Sequence, residues 1–192
     1  VSDKTREDAL ALLHQYTESE SLRRHAYAVE AAVRAYARKF GEDEEKWGVT
    51  GLLHDFDYEK YPTHEEHTVV GARILTEQGY PEDVIYAIRA HADYNGLERR
   101  SLLDKTLYAC DELSGFIMAV AMVRPTREVS DVQAKSVRKK LKDKAFAKGV
   151  NRDDVYRGAE ELGVDLDEHI QFVVSALTSI AAELGLDGQS AS

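Results

Sequence analysis

Six side chains pose the chemical question: His25, His54, Asp55, His67, His91 and Asp111. Each falls among apolar residues at three- and four-residue spacing, which gathers side chains on one face of a helix. Leu22, His25, Val29, Val33 and Tyr36 form one stripe, and Trp47, Gly51 and His54 form another with Asp55 directly after it. His67, Val70, Gly71 and Ile74 make a third, and Val84, Ala87, Ile88 and His91 a fourth. Leu103, Leu107, Cys110, Asp111 and Ser114 make the fifth, so Asp111 is expected to be a buried carboxylate. A buried carboxylate without a partner costs several kcal/mol, and an unpaired buried polar group about 1–3 kcal/mol. A divalent cation offsets that cost, because neutral imidazoles and ionised carboxylates both donate to it. The adjacent pair His54-Asp55 is the strongest single signal, since two ligand types side by side can grip one ion or bridge two. His169, among Leu166, Ile170 and Val173, and His14, near Leu10 and Leu13, read instead as hydrogen-bonded structural histidines.

The elements that must position these groups are helices. Proline occurs only at positions 62, 81 and 125, and apolar residues recur at helical spacing nearly throughout, which predicts an all-α fold. Caps and breakers place helices at roughly 5–16, 20–40, 43–56, 64–78, 82–92, 101–123, 131–148, 152–162 and 166–185. Gly41, Gly79-Tyr80-Pro81 and Asn95-Gly96 supply three of the stops. A single domain over 1–186 is expected, with a core at about 20–122, a helical extension at about 124–186 and a disordered tail at 187–192.

Composition narrows the chemistry. Cys110 is the sole cysteine, which rules out an intramolecular disulfide and a thiolate-rich zinc site, so any metal must be held by nitrogen and oxygen. A net charge of −10 argues against broad nucleic-acid or anionic-membrane binding. No apolar run approaches membrane-spanning length, and the start Val1-Ser-Asp-Lys-Thr-Arg lacks a secretory pattern, so cytoplasm is the expected location.

The ordered set of His25, then Leu52-Leu53-His54-Asp55, then Asp111 resembles the pattern that names the HD superfamily of metal-dependent phosphohydrolases. His67-Thr-Val-Val-Gly71 and Ile85-Tyr-Ala-Ile-Arg-Ala-His91 resemble the helices that supply a second metal in part of that superfamily. The stretch Ser101 to Asp111 is similar to the matching helix of its bacterial diadenosine-tetraphosphate hydrolases. The likeness implies an HD-type helical bundle with additional C-terminal helices. It implies that His25, His54, Asp55 and Asp111 hold one ion and that Asp55, His67 and His91 hold another, with Asp55 as the bridge. His64 competes with His67, because the interval from Asp55 is short for the two-metal group. The implied cofactor is one or two divalent transition-metal ions, Fe, Mn, Zn, Co or Ni. The implied reaction is hydrolysis of a small phosphoester or phosphoanhydride, with a nucleotide as the expected partner. A mixed-valent di-iron oxygenase and a non-catalytic metal- and nucleotide-binding protein are the alternatives within the same likeness.

Outside the ligand set, Lys60 and Arg24 could meet a phosphate, against surface ion pairing as the ordinary use of such residues. Asp57 could orient a water or cap its turn. Cys110 is expected to pack. The basic run from Lys135 to Lys148 reads as a solvated amphipathic helix, with a phosphate-binding lid as its alternative.

Overall fold

In the computed structural model, residues 3–189 are described, and every named element among them is helical, as the periodicity predicts. The α-helices are α1 Arg6–Tyr16, α2 Glu20–Phe40, α3 Glu44–Leu53, α4 Val69–Glu77, α5 Glu82–Ala90, α6 Leu102–Met122, α7 Ala134–Lys142, α8 Arg152–Leu162 and α9 Leu166–Thr178. Short 3₁₀ turns stand at Asp93–Asn95 and Val129–Asp131. The chain forms two compact units, residues 1–107 and 108–192. Among the described residues no helix is long and apolar enough to cross a membrane.

In the first unit the helix starts are written locally. Thr5 and Asp8 cap α1 reciprocally, Ser19 caps α2 and Asp43 caps α3, each taking up a backbone N–H left unpaired by the helix end. The α2–α3 pairing is the main packing contact here. A Cβ on Gly51 would come within 3.0 Å of the Glu30 backbone, so only glycine lets the two helices approach this closely at that point. Val29, Val33, Tyr36, Leu52, Leu53, Phe56, Leu75 and Ile88 fill the core around this contact.

Two boundaries differ from expectation where the candidate ligands lie. α3 ends at Leu53 and not at 56, so His54 caps it and Asp55 enters a run of turns. α4 begins at Val69 and not at 64, because Thr68 adopts a left-handed backbone (φ 66°) that no helix continues through. His67 therefore stands in the turn before α4.

The second unit packs α7, α8 and α9 with the later part of α6 around Phe116, Ile117, Val137, Leu141, Val155, Ile170, Val173 and Leu177. α7 ends at Lys142 and not at 148. The Arg152 guanidinium draws the following loop round itself by donating to the carbonyls of Asp143, Phe146, Ala147 and Val150. α9 gives way to turns after Thr178. Of the tail expected at 187–192, Asp187 forms an isolated antiparallel bridge with Glu128, and residues 190–192 lie outside the described residues.

Candidate metal centre

Helix ends do most of the positioning. His54 and His91 cap α3 and α5, where the last carbonyls have no helical partner. Each ring uses Nδ1 to reach back three residues, His54 to Gly51 O at 2.7 Å and His91 to Ile88 O. A carbonyl only accepts, so Nδ1 carries the proton in both rings and Nε2 is turned the other way. His67 is held by a carboxylate: its Nδ1 lies 2.7 Å from Asp57 Oδ1. Asp57 Oδ2 accepts from the N–H groups of Thr68 at 2.7 Å and Gly71 at 2.9 Å. A Cβ on Gly71 would sit 2.7 Å from that oxygen, which makes glycine the residue that permits the approach. His25 comes from α2, with its side chain partly exposed.

These four rings converge on Asp55. Its Oδ1 is 3.1 Å from both His67 Nε2 and His91 Nε2, while its Oδ2 is 3.3 Å from His54 Nε2 and 3.8 Å from His25 Nε2. His25 Nε2 and His54 Nε2 are 3.2 Å apart. Ligand atoms of His25, His54 and Asp55 lie within 4.8 Å of one another, as do those of Asp55, His67 and His91. In the neutral form the rings of His54 and His91 would present Nε2 lone pairs to an acceptor-only carboxylate, an arrangement that repels unless protons or a cation lie between. The donor set therefore fits a divalent transition metal on either side of Asp55: imidazole nitrogen, carboxylate oxygen, and Nδ1 atoms anchored from behind.

The same need for positive charge at Asp55 shows in the electrostatics, where protons on the rings supply what a cation otherwise would. Burial pushes the Asp55 carboxyl up, but the charge of His54 and hydrogen bonds from His54, His67 and His91 outweigh it and hold it well below the usual carboxylate range. Burial lowers the His67 imidazole, yet hydrogen bonds to Asp55 and Asp57 win and raise it to about 9. The side chains of His54, His67 and His91 are at most 6% exposed, whereas those of His25 and Asp55 are 22% and 24% exposed, so solvent reaches the cluster from the His25–Asp55 side.

The remaining sequence candidates divide. Asp111 stands on α6 within the second unit. Asp57 lies behind His67 with both oxygens engaged and is 1% exposed, so it positions the ring. Lys60 is not brought to the cluster: its ammonium donates to Gln15 O at 3.3 Å and lies 4.8 Å over the Tyr16 ring. Arg24 pairs with Glu20 one turn away on α2. His64 is exposed and stacks on Tyr94, with ring centres 4.1 Å apart, so His67 is the histidine that meets Asp55. His169 Nε2 donates to Ala109 O at 2.9 Å, and His14 Nε2 meets Tyr27 Oη at 2.9 Å. Cys110 is fully buried, and burial first, then Asp111, pushes its thiol up, so it packs.

Sequence patterns missed the residues bordering His67. Tyr58 meets its ring edge-on at 5.3 Å, Tyr94 lies at 6.4 Å, and Asn95 donates to Thr68 Oγ1 at 2.6 Å. Only the Asn95-Gly96 turn signal hinted at any of them.

Comparison with known proteins accords with this geometry. The HD domain family matches residues 22–115. Among curated relatives, Ribonuclease Y of Oleidesulfovibrio alaskensis is 32% identical over 100 residues, covering 50% of this chain and 18% of the relative. Ribonuclease Y of Desulfotalea psychrophila is 30% identical over 107 residues, 54% of this chain and 20% of the relative. Ribonuclease Y of a Parafrankia species is 43% identical over 67 residues, 33% and 12%. The chain thus spans no more than 20% of the length of these relatives. The finer likeness to diadenosine-tetraphosphate hydrolases, read from residues 101–111, gains no support from them. What stands is the broader assignment: residues 22–115 are an HD domain.

Proposed function

We propose that this chain is a metal-dependent phosphohydrolase acting on a small phosphoester or phosphoanhydride, with a nucleotide as substrate. The observation that carries the proposal is the convergence of four imidazole Nε2 atoms on the two oxygens of Asp55. In this reading His25, His54 and Asp55 hold one ion with Asp111, which the family match takes in along with the others. Asp55, His67 and His91 hold a second. Ions at these positions would lower the pKa of a bound water and polarise a phosphoryl oxygen. Asp55 joins the two ligand sets, Asp57 and the helix-end carbonyls fix ring orientation, and the exposed His25–Asp55 edge admits substrate. Tyr58 and Tyr94, each 43% exposed beside His67, offer faces on which a base can stack, which favours a nucleotide over a simple phosphate ester. No role is assigned to Lys60.

A second reading is cleavage of RNA phosphodiesters, favoured by relatives named Ribonuclease Y. The net charge of −10 weighs against a long polyanionic substrate. A panel of nucleotides and short RNAs, assayed with Mn²⁺ or Fe²⁺ and again with chelator, tests both. Metal-dependent turnover of nucleotides is expected; turnover of RNA alone would select the second reading. Oxygen consumption by an iron-loaded sample without hydrolysis would point to an oxygenase, and full metal loading with no turnover to a binding protein.

A further inference from the structure

The second unit carries a groove that the hydrolytic chemistry does not use. Its volume is about 440 Å³, within the range of small-molecule sites. One wall is Val120 near the end of α6 together with Val123, Arg124 and Pro125 in the turns that follow it. The other is α7, where Ser136, Lys139, Lys140 and Asp143 follow at three- and four-residue steps. Val137 and Leu141 are buried, so the intervening cationic face of α7 is directed away from the core.

Charge is strongly segregated here. The chain as a whole carries −10, yet between residues 135 and 148 seven lysines and arginines stand against Asp143 alone. Arg138 is neutralised by Asp167 at 3.2 Å, but it does not line the groove. Lys139, which does, has no ion pair among the described residues, and the Lys140 ammonium lies 4.7 Å over the Phe146 ring. Arg124 adds a third cation to the lining from the other wall. Asp143 is the one carboxylate of the lining, and its Oδ1 already accepts from Ala145 N at 3.0 Å.

From three cations set beside an apolar floor, we infer that this groove binds a nucleoside polyphosphate. Arg124, Lys139 and Lys140 take the phosphates, and Val123 with Pro125 covers a face of the base. An inorganic anion would leave the floor unused, and an extended strand would meet the field of an acidic chain. The site lies wholly in the second unit and is independent of the proposed hydrolysis at Asp55.

The test is calorimetric titration of the whole chain, kept metal-free with chelator, using ATP, tripolyphosphate and a 5′-phosphorylated eight-nucleotide RNA as probes. Two charge-matched pairs of variants are compared: K139A/K140A in the groove and K144A/K148A outside it, with thermal unfolding confirming that each is folded. ATP is expected to bind saturably and more tightly than tripolyphosphate or the RNA. K139A/K140A should weaken it by about tenfold or more, and K144A/K148A by less than about twofold. Asp55→Ala should leave ATP binding unchanged. Absence of saturable binding, equal weakening in the two pairs, loss of binding in Asp55→Ala, or binding of RNA or tripolyphosphate at least as tight as ATP would each overturn the inference.

Discussion

His54 and His169 make an instructive pair. Both lie on apolar helical stripes, both are essentially shut off from solvent, and both bond a backbone carbonyl. The difference is company. His54 has Nδ1 anchored on Gly51 and Nε2 directed at a carboxylate that three other imidazoles also approach. His169, bonded to Ala109 O, belongs to no group of three or more ligand-type side chains among the described residues. Burial of a histidine is thus a poor mark of function. Several ring nitrogens facing one acceptor-only group is a good one, because that arrangement is stable only with positive charge at its centre.

Substitutions at the two places should separate them sharply. Asp55→Ala removes the group common to both ligand sets, so it should abolish metal retention and hydrolysis while leaving helical content largely intact, as read by activity and far-ultraviolet circular dichroism. Hydrolysis retained in this variant would remove the distinction. Asp57→Asn is a subtler probe, since it weakens the acceptor behind His67 without touching a ligand. It should reduce metal affinity by roughly 10- to 100-fold, measured by competition with a chelating dye, and an unchanged affinity would mean that Asp57 only caps its turn. His169→Leu should have the smallest effect on chemistry. Its expected cost is about 1–3 kcal/mol in denaturant unfolding with metal content unaltered, and loss of metal would show that His169 had been misassigned.

The comparison also shows what the sequence can convey. The stripes of His25, His54 and His91 were readable because helical periodicity is local, and the His54-Asp55 doublet followed from adjacency alone; the stripe expected through His67 fails, because that residue stands in a turn ahead of α4. His64 against His67 was not decidable from spacing. The choice depends on Thr68, whose left-handed backbone halts α4 and turns His67 toward Asp55 while His64 is left to stack on Tyr94. Asp57 read from its neighbours either as a water-orienting group or as a cap of its turn. Its actual partners, His67, Thr68 and Gly71, are 10 to 14 residues away. Lys60 follows the doublet closely in sequence, yet the turns after α3 carry it to Gln15 and Tyr16 at the end of α1. Helix existence was legible throughout, whereas helix ends, where the ligands sit, were set by tertiary contacts.

The most direct test is elemental analysis of the chain purified without chelator, in parallel with Asp55→Ala. A carboxylate shared by two ligand sets predicts about two divalent transition-metal ions per chain and close to none in the variant. A wild-type chain that takes up no transition metal even after reconstitution, or a variant that holds as much as the wild type, would contradict a metal centre built on Asp55.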